Sequence, residues 1–533
     1  MNREAAARVR TFLLDSGFTA DGVLARVGAE AFAALGRDLA VPIRRVLDLS
    51  PPTALDRLIE AFLLADPIPV DALPAQVLDD LEALGMVRRD VDTVTPVVEV
   101  HPYGEPDTDW FIVSDIGAPT TPDHVLGLGG ASLTLARITP RRDVARTMDL
   151  GCGAGVQVLH AARHSDAVVA TDTNPRALEL TALSAALSGI PTGGLVLREG
   201  SLFDPVADQR FDLVVSNPPF VISPSHRFTY RDGGLAGDEL SRSVVRGAAA
   251  HLAPGGMAAV LGNWMHVEGE DWRERVSSWV SGTGADAWIV ERDSQPVADY
   301  AATWLRDAHV AEGPEFDAAM GEWLDAFAAE GCTEVGFGWI VLVAPDQPGE
   351  AARPDPARSD PRPSDPGPSD PGPSDPALSD PARSDPGPSD RHPPWVLVED
   401  LAHCERLPHG DEVLVFLKGC AVAERFTAPS LLAARFQLSD GATITTTTQM
   451  AAGSLANSPP RLGLAGVVGA GGWRPAIPVP PELVVALLED PDVAIGDRLD
   501  AAADAEGLDP LDILGPALMG LRELVRMGIV RTE

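Results

Sequence analysis

Between about His101 and Pro345, short apolar runs alternate with segments whose apolar residues recur at helical spacing. The runs RTMDL and AVVATD have the length of buried strands, whereas VQVLHAARH and PRALELTALSAALSG have the spacing of helices. This alternation predicts parallel strands joined by crossover helices, which is an α/β fold. In such a sheet, the loops at the carboxyl ends of the strands form the ligand crevice.

The preceding segment, residues 1–98, is predicted to form short amphipathic helices. It ends in AQVLDDLEALGMVRRDVDTVTPVVEV, where a helix, a Gly-Met-Val-Arg-Arg stretch and a β-branched run follow one another, and this order resembles a winged-helix module. Such a module recognises nucleic acid or protein, but it also serves as a helical cap on the next domain. The acidic composition favours the cap.

A second boundary lies after residue 345, where Ser-Asp-Pro recurs every five residues within 346–394. Proline fixes φ and the aspartates repel one another, so this segment is predicted to be an extended, disordered linker. Residues 395–533 are predicted to form a small α/β accessory module, with a substrate-recruiting domain as the alternative. Strand-like alternation is found there in EVLVFLKGCAVAERF and FQLSDGATITTTTQM, and a helical stretch around LDILGPALMGLRELVRMGIV.

The charge balance limits the partners of the chain. The 41 basic and 78 acidic residues give a net charge of −37, which repels phosphate backbones unless a local basic patch exists. The cysteines show no Cys-x-x-Cys spacing, so neither a disulfide framework nor a thiolate zinc site is indicated. No apolar run reaches the roughly 18 residues of a membrane span. We therefore expect a cytoplasmic protein without membrane contact.

The first loop after a predicted strand is rich in glycine and opens a predicted helix. Its glycines let the backbone approach a ligand that a Cβ would push away. The next strand, AVVAT, ends at Asp172, whose carboxylate can accept both ribose hydroxyl protons of a nucleoside. The loop reads Asp149-Leu150-Gly151-Cys152-Gly153-Ala154-Gly155.

The Asp-Leu-Gly-Cys-Gly opening of this loop resembles the first motif of class I methyltransferases, a Rossmann-like fold. The resemblance implies that Asp149 and the loop from Gly151 to Gly155, including Cys152 and Gly153, hold the amino-acid part of S-adenosylmethionine. It also implies that Asp172 holds the ribose. Where related enzymes often carry an Asp for the adenine, this chain has Ser201, whose hydroxyl can bond the adenine amine while Leu202 packs on the ring.

The fourth predicted strand, FDLVVS, ends in the tetrapeptide Asn217-Pro218-Pro219-Phe220. A conjugated nitrogen is a poor nucleophile because its lone pair is delocalised. If the Asn217 side-chain oxygen and the Pro218 carbonyl accept its protons, the nitrogen is positioned beside the cofactor, which Asn217 also borders, and its lone pair is drawn toward the methyl group. The prolines fix the loop, and Phe220 offers a face on which a planar group can stack.

This chemistry needs no separate general base, because the nitrogen becomes acidic once it is methylated. It needs no metal either. The one helical histidine pair, His160 and His164, lacks further ligands and is interpreted as a solvated helix face.

The stretch from about 120 to 345 resembles the methyltransferase small domain group, and especially HemK-type enzymes that methylate a glutamine amide in release factors. Two further segments carry the resemblance: Arg231–Glu239 and the Leu252-Ala253-Pro254-Gly255-Gly256 turn. The usual tetrapeptide of HemK-type enzymes ends in Tyr, whereas this chain has Phe220. Phe-ending versions are common among ribosomal-RNA guanine-amine methyltransferases of the same group.

Three functional hypotheses follow. The first is methylation of a protein glutamine amide, with a protein such as a release factor as substrate. The second is methylation of an exocyclic amine in RNA or DNA, which needs a basic stripe. The third is a regulator that acts through the winged-helix-like module and senses the cofactor with the methyltransferase fold. The candidates for a basic stripe are Arg137, Arg141, Arg142 and Arg146.

Overall fold

The fold was analysed in a computed structural model of the 533-residue chain. It describes residues 2–35, 39–105, 108–117, 121, 123–224, 235–308, 310–346, 394–402, 406–439, 443–448, 462–468, 477–488, 490–506 and 508–532. The predicted linker, apart from its two end residues, and the first part of the Arg231–Glu239 segment lie outside the described residues.

Among its described residues, the N-terminal part has six helices and a small antiparallel sheet in the order β1-β3-β2. Helix α5 shows why these helices form: Thr53 caps its first turn reciprocally with Asp56, and its apolar face is buried. The helices are α1 (Arg3–Asp15), α2 (Ala20–Val27), α3 (Ala29–Leu35), α4 (Val41–Leu47), α5 (Ala54–Leu63) and α6 (Ala75–Ala83), and the strands are β1 (Ile68–Pro69), β2 (Val87–Arg89) and β3 (Thr93–Pro96).

The end of this part has the predicted winged-helix order, since α6 is followed by the β2–β3 hairpin. A second hairpin, β4 (Glu99–Glu105) and β5 (Thr108–Ser114), connects it to the rest of the chain. The N-terminal helices share one apolar core with this hairpin and with the helix at 175–187. The guanidinium of Arg10 also donates to the carbonyl of Leu187 at 2.9 Å. The helices thus pack on the following domain, as a cap does.

The centre of the molecule is an eight-stranded sheet in the order β13-β11-β12-β10-β9-β6-β7-β8. All neighbouring strands run parallel, except that β12 is antiparallel to both β10 and β11. The strands are β6 (Val144–Leu150), β7 (Ser165–Asp172), β8 (Leu195–Glu199), β9 (Phe211–Ser216), β10 (Leu252–Val267), β11 (Asp286–Pro296), β12 (Cys332–Val343) and β13 (Val396–Asp400).

Helices cover both faces of this sheet, so the predicted α/β class is confirmed. Strands such as β9 are buried on both faces, which explains their continuous apolar runs. The helices are α7 (Gly130–Ile138), α8 (Val156–Ala161), α9 (Pro175–Leu187), α10 (Glu239–His251), α11 (Trp272–Val280), α12 (Val297–Asp307) and α13 (Pro314–Ala329).

The segment after the linker begins with β13, which is the edge strand of the central sheet and pairs in parallel with β11. The remaining described elements are α14 (Gly410–Arg425), α15 (Ala428–Ala433), β14 (Phe436–Leu438), β15 (Thr443–Thr448), β16 (Leu462–Val468), β17 (Ile477–Val479), α16 (Pro481–Leu488), α17 (Ile495–Glu506), α18 (Pro510–Arg526) and β18 (Val530–Thr532). None of the helices in the described ranges is both long and apolar enough to cross a membrane.

One secondary-structure prediction for this segment is wrong. EVLVFLKGCAVAERF, taken as a strand for its alternation, lies in helix α14. Its buried positions, Val413, Phe416, Leu417, Cys420 and Ala423, follow helical spacing, and His409 and Glu412 cap the first turn reciprocally. The alternation in EVLVFL is too short to separate a strand from a helix. The FQL and TITTTT runs form the predicted strands β14 and β15.

Candidate active site

The glycine loop lies between β6 and α8, at the carboxyl edge of the sheet. It is fastened to the next strand, because the N–H groups of Gly151 and Cys152 donate to the Thr171 carbonyl at 2.9 and 3.0 Å. Gly153 has a φ of +53° and Gly155 a φ of +88°, which a side chain would strain. A Cβ at Gly155 would also lie 3.2 Å from Thr181 on α9, so this glycine allows two helices to approach.

Asp172 ends β7 beside this loop. Its two carboxylate oxygens accept hydrogen bonds from the backbone N–H groups of Gly153, at 3.0 Å, and Asn174, at 2.9 Å. Burial raises the pKa of Asp172, although these hydrogen bonds oppose the rise. Each oxygen keeps a further lone pair, so the carboxylate can still accept the hydroxyl protons of a ribose.

Asp149, at the end of β6, is almost fully buried, with 1% of its surface exposed. Burial, reinforced by the nearby charge of Asp172, raises its pKa to about 8. The Val158 N–H offsets only part of this rise, since neither oxygen of Asp149 has a hydrogen bond of ordinary geometry. A buried carboxylate without a partner is costly, and a cationic ligand removes that cost.

The predicted adenine residues follow β8. Ser201 is exposed at the edge of the site, and Leu202 is half-buried. The backbone of Leu202 has a φ of +47°, which is uncommon for a residue with a large side chain. Strain of this kind, roughly 1–3 kcal/mol, collects at ligand sites. Leu202, in this backbone conformation, lies in the wall of a cavity that other predicted site residues also line.

The tetrapeptide follows β9 at the same edge of the sheet. The Asn217 side-chain N–H donates to the Ser132 hydroxyl at 3.3 Å, which leaves the amide oxygen to accept a proton from another group. Ser132 is itself held, because its carbonyl accepts from the Gln157 side chain at 2.8 Å. The tetrapeptide therefore starts with an amide of defined orientation.

The far end of the tetrapeptide loop is anchored from the other side. The hydroxyl of Tyr300 accepts hydrogen bonds from the Ile222 N–H, at 2.9 Å, and from the Asn263 side chain, at 3.0 Å. Tyr300 is fully buried and Asn263 nearly so. Sequence reasoning missed both residues, because no local pattern links α12 and β10 to the loop.

Most of the predicted site residues line one cavity of about 730 Å³, which we call the first cavity. Its volume is typical of small-molecule sites. Of the predicted site residues, Gly155 and Phe220 do not line it; Phe220 is half-buried and packs against an apolar cluster on the sheet. The predicted residues in its lining are Asp149, Gly151, Cys152, Gly153, Asp172, Ser201, Leu202, Asn217, Pro218 and Pro219.

The first cavity has a wall that sequence reasoning did not include, formed by the segment before α7 and the first residues of that helix. This segment, residues 124–132, supplies Ser132 and a run of glycines to the lining. The available signal was Leu-Gly-Leu-Gly-Gly directly before a helix, which is the same glycine-then-helix pattern as in the recognised loop.

Each of the four candidate arginines makes a hydrogen bond or ion pair within the chain, and Arg141 has a carboxylate partner. Arg137 and Arg142 donate to the carbonyls of Leu407 and Gly255, at 3.2 and 2.6 Å. Arg141 pairs with Glu105 at 3.2 Å, and Arg146 donates to Gln209 at 2.6 Å. Within the described ranges, no cluster of three or more His, Cys, Asp or Glu side chains is placed to hold a metal ion.

The sheet order and the glycine loop, with an acidic residue at the end of the next strand, define a class I methyltransferase domain. The family model described as "Methyltransferase small domain" matches residues 128–268, so this part of the chain is a domain of that family. A second model, described as "Domain of unknown function (DUF7059)", matches residues 15–97.

Each relative matches a part of the chain. The release factor glutamine methyltransferase of Xylella fastidiosa is 34% identical over 131 residues, which is 22% of this chain and 47% of that protein. The ribosomal RNA small subunit methyltransferase C of Escherichia coli is 28% identical over 204 residues, which is 38% of this chain and 54% of that protein. The chain thus spans about half the length of the curated relatives it matches.

Among solved structures, a 16S rRNA methyltransferase of T. thermophilus in complex with AdoMet and guanosine is 16% identical. The match covers 51% of this chain and 61% of that one, with a TM-score of 0.27.

S-adenosylmethionine is the cofactor of this class, and the residues present fit it. When bound, it supplies an electrophilic methyl group on its sulfonium. The buried Asp149 carboxylate matches a cationic amino group, and the Asp172 carboxylate matches the ribose hydroxyls. The glycine loop lacks side chains that would fill the space, so it leaves room for the part of the cofactor that joins the amino group to the ribose.

Proposed function

We propose that this chain is an S-adenosylmethionine-dependent N-methyltransferase that modifies the side-chain amide of a glutamine in a protein. The observation that carries the nitrogen chemistry is the oriented amide of Asn217 at the wall of the first cavity. Its oxygen and the Pro218 carbonyl accept the two protons of a substrate amide nitrogen. The nitrogen is then held with its lone pair toward the methyl group, and the proton leaves after transfer.

A protein acceptor is favoured over a nucleic acid by the electrostatics of the chain. The four candidate arginines contact the chain's own carbonyls and polar side chains, and the net charge of −37 opposes a phosphate backbone. The similarity to a release factor glutamine methyltransferase points the same way. A translation release factor is accordingly the first substrate to test.

The second candidate is methylation of an exocyclic base amine in RNA. Its support is the similarity to the ribosomal RNA small subunit methyltransferase C, together with Phe220 at the end of the tetrapeptide. The same Asn217 geometry serves both acceptors, since each presents a planar nitrogen that carries two protons.

The test is methyl transfer from labelled S-adenosylmethionine to a cell extract, with Asn217→Ala as the control, followed by protease or nuclease digestion of the labelled fraction. We expect label that is lost to protease and absent with Asn217→Ala. Label lost to nuclease would replace the protein acceptor by RNA. No label at all, despite measurable cofactor binding, would return the regulator hypothesis to first place.

A further inference from the structure

A second cavity of about 600 Å³ opens at the same carboxyl edge of the sheet. Its walls come from three segments that are far apart in sequence. The end of β11 contributes Arg292, Asp293 and Gln295, the middle of β12 contributes Trp339, and the segment after the linker contributes Ala402 and Arg406. The pairing of β13 with β11 brings the post-linker segment to this edge.

The second cavity and the tetrapeptide are connected through two structural elements, helix α7 and an apolar cluster on the sheet. Arg292 donates to the Thr134 hydroxyl at 3.5 Å, and Thr134 lies two residues from Ser132 on α7, which is about 3 Å along the helix axis. Ser132 holds Asn217. On the sheet side, Trp339 and Phe220 belong to the same packed apolar cluster. Residues two apart on a helix project to different sides, so α7 lies between Ser132 and the second cavity. Helix α7 and the shared apolar cluster thus connect the second cavity with the tetrapeptide.

The charges around the second cavity nearly cancel. Arg406 is neutralised by a two-fold contact with Glu412, whose carboxylate accepts from both terminal nitrogens of the guanidinium. Arg292 and the adjacent Asp293 contribute one charge of each sign. The cavity lacks the excess of positive charge that a phosphate backbone needs, and it suits a neutral polar ligand.

Two buried polar atoms of lining residues have no hydrogen-bond partner. They are the indole N–H of Trp339, a residue that is 1% exposed, and the side-chain oxygen of Gln295. An unsatisfied buried polar atom costs about 1–3 kcal/mol, so a ligand that satisfies both is favoured. One of the two atoms is a donor and the other an acceptor. A peptide unit carries the complement, one carbonyl and one N–H.

We propose that the second cavity binds the main chain of the polypeptide substrate next to the methylated glutamine, and that the post-linker segment completes this site. The inference rests on the proposed function and gives its acceptor a chemical class, an extended polypeptide. It also gives the segment after the linker a role, because Leu401, Ala402 and residues 406–408 form part of the lining of the second cavity.

The test measures the rate of methyl transfer from labelled S-adenosylmethionine to the protein fraction of a cell extract, as a function of extract concentration. Three full-length variants are compared with the unaltered chain. Trp339→Phe removes the N–H and keeps an aromatic ring, Gln295→Leu removes the acceptor, and Ala402→Trp fills the cavity from its exposed rim. We expect each to lower the rate at least fivefold at low extract concentration and less at high concentration.

The matched control is Ala7→Trp, which places the same bulk on an exposed position of α1. The affinity of each variant for S-adenosylhomocysteine, measured by titration calorimetry, reports whether the first cavity is intact. A second acceptor, N-acetylglutamine methylamide, has too little main chain to use the second cavity. If it is methylated, its rate should be the same in all variants.

Variants with unchanged rates on extract protein would overturn this inference while leaving the proposed function standing. Label that appears only in nucleic acid would overturn both. The absence of any label, although S-adenosylhomocysteine binds normally, would overturn both the proposed function and the inference. Equal losses on extract protein and on the small amide would show a structural effect and would also count against a main-chain site.

Discussion

The two cavities at the carboxyl edge of the sheet are built in different ways. The first takes most of its lining from loops that directly follow β6, β7, β8 and β9, so each contributing motif is short and continuous. The second combines residues near 292, 339 and 402, which only β-strand pairing brings together. The first cavity is thus encoded by local motifs, whereas the second, the proposed substrate site, is encoded by tertiary assembly. The following predictions test this division.

The largest effect is expected at the tetrapeptide. Asn217→Ala should lower methyl transfer by about 100- to 1,000-fold, the usual loss when one oriented group of this kind is removed. Cofactor affinity should change far less. Ser132→Ala, which removes only the partner of Asn217, is the graded control and should cost about tenfold. Comparable losses in cofactor binding and transfer would show that the two cavities are not separable.

The next effect concerns the first cavity alone. The pKa of Asp149 is raised to about 8 without cofactor, so binding of a cationic cofactor requires loss of a proton below that pH. Cofactor affinity should therefore rise with pH up to about 8 and then level off. Asp149→Asn should weaken binding and remove this part of the pH dependence. Calorimetry of both proteins between pH 6 and 9, with the same ligand, cancels the titration of the ligand itself.

The same substitution should stabilise the cofactor-free protein. Between an unfolded-state pKa near 4 and the folded value of about 8, the folded state holds more protons at Asp149, so its free energy of unfolding falls as pH rises. Asparagine does not titrate, so Asp149→Asn removes this fall in the free energy of unfolding. Its melting temperature should exceed that of the unaltered chain, and by more at pH 8 than at pH 5. A smaller advantage at pH 8 would contradict the raised pKa.

A smaller effect is expected from the anchor of the tetrapeptide loop. Tyr300→Phe leaves the Ile222 N–H and the Asn263 side chain without their acceptor, which should destabilise the protein by roughly 2 kcal/mol. Because the loop then loses one of its two anchors, the maximal rate should fall about tenfold with little change in cofactor affinity. Loss of stability with an unchanged rate would limit Tyr300 to a structural role.

The smallest effect is expected at the surface. Arg142 is exposed and donates to the Gly255 carbonyl, away from the lining of both cavities. Arg142→Ala should change the transfer rate less than twofold, and the rate should respond to salt as it does in the unaltered chain. A large loss at low salt that shrinks as salt is raised would instead indicate that this arginine binds phosphate, and would favour the RNA acceptor.

Part of the fold and site follows from the sequence. The alternation of apolar runs and helical stretches predicts the parallel part of the sheet, because buried strands and crossover helices have separate periods. The glycine loop, Asp172 and the tetrapeptide each lie at a strand end, so the topology alone brings them to one edge. Their residue types already indicate the cofactor and the chemistry of the acceptor.

Only the tertiary structure decided the rest, since it depends on contacts between distant segments. The identity of Ser132 and Tyr300 as anchors comes from hydrogen bonds across 85 and 78 residues. Helix α14 was mistaken for a strand because the short apolar run VLVFL fits both a strand and a helix, and packing decided between them. The second cavity exists because β13 returns across the linker to pair with β11, and no pattern within either strand records that pairing.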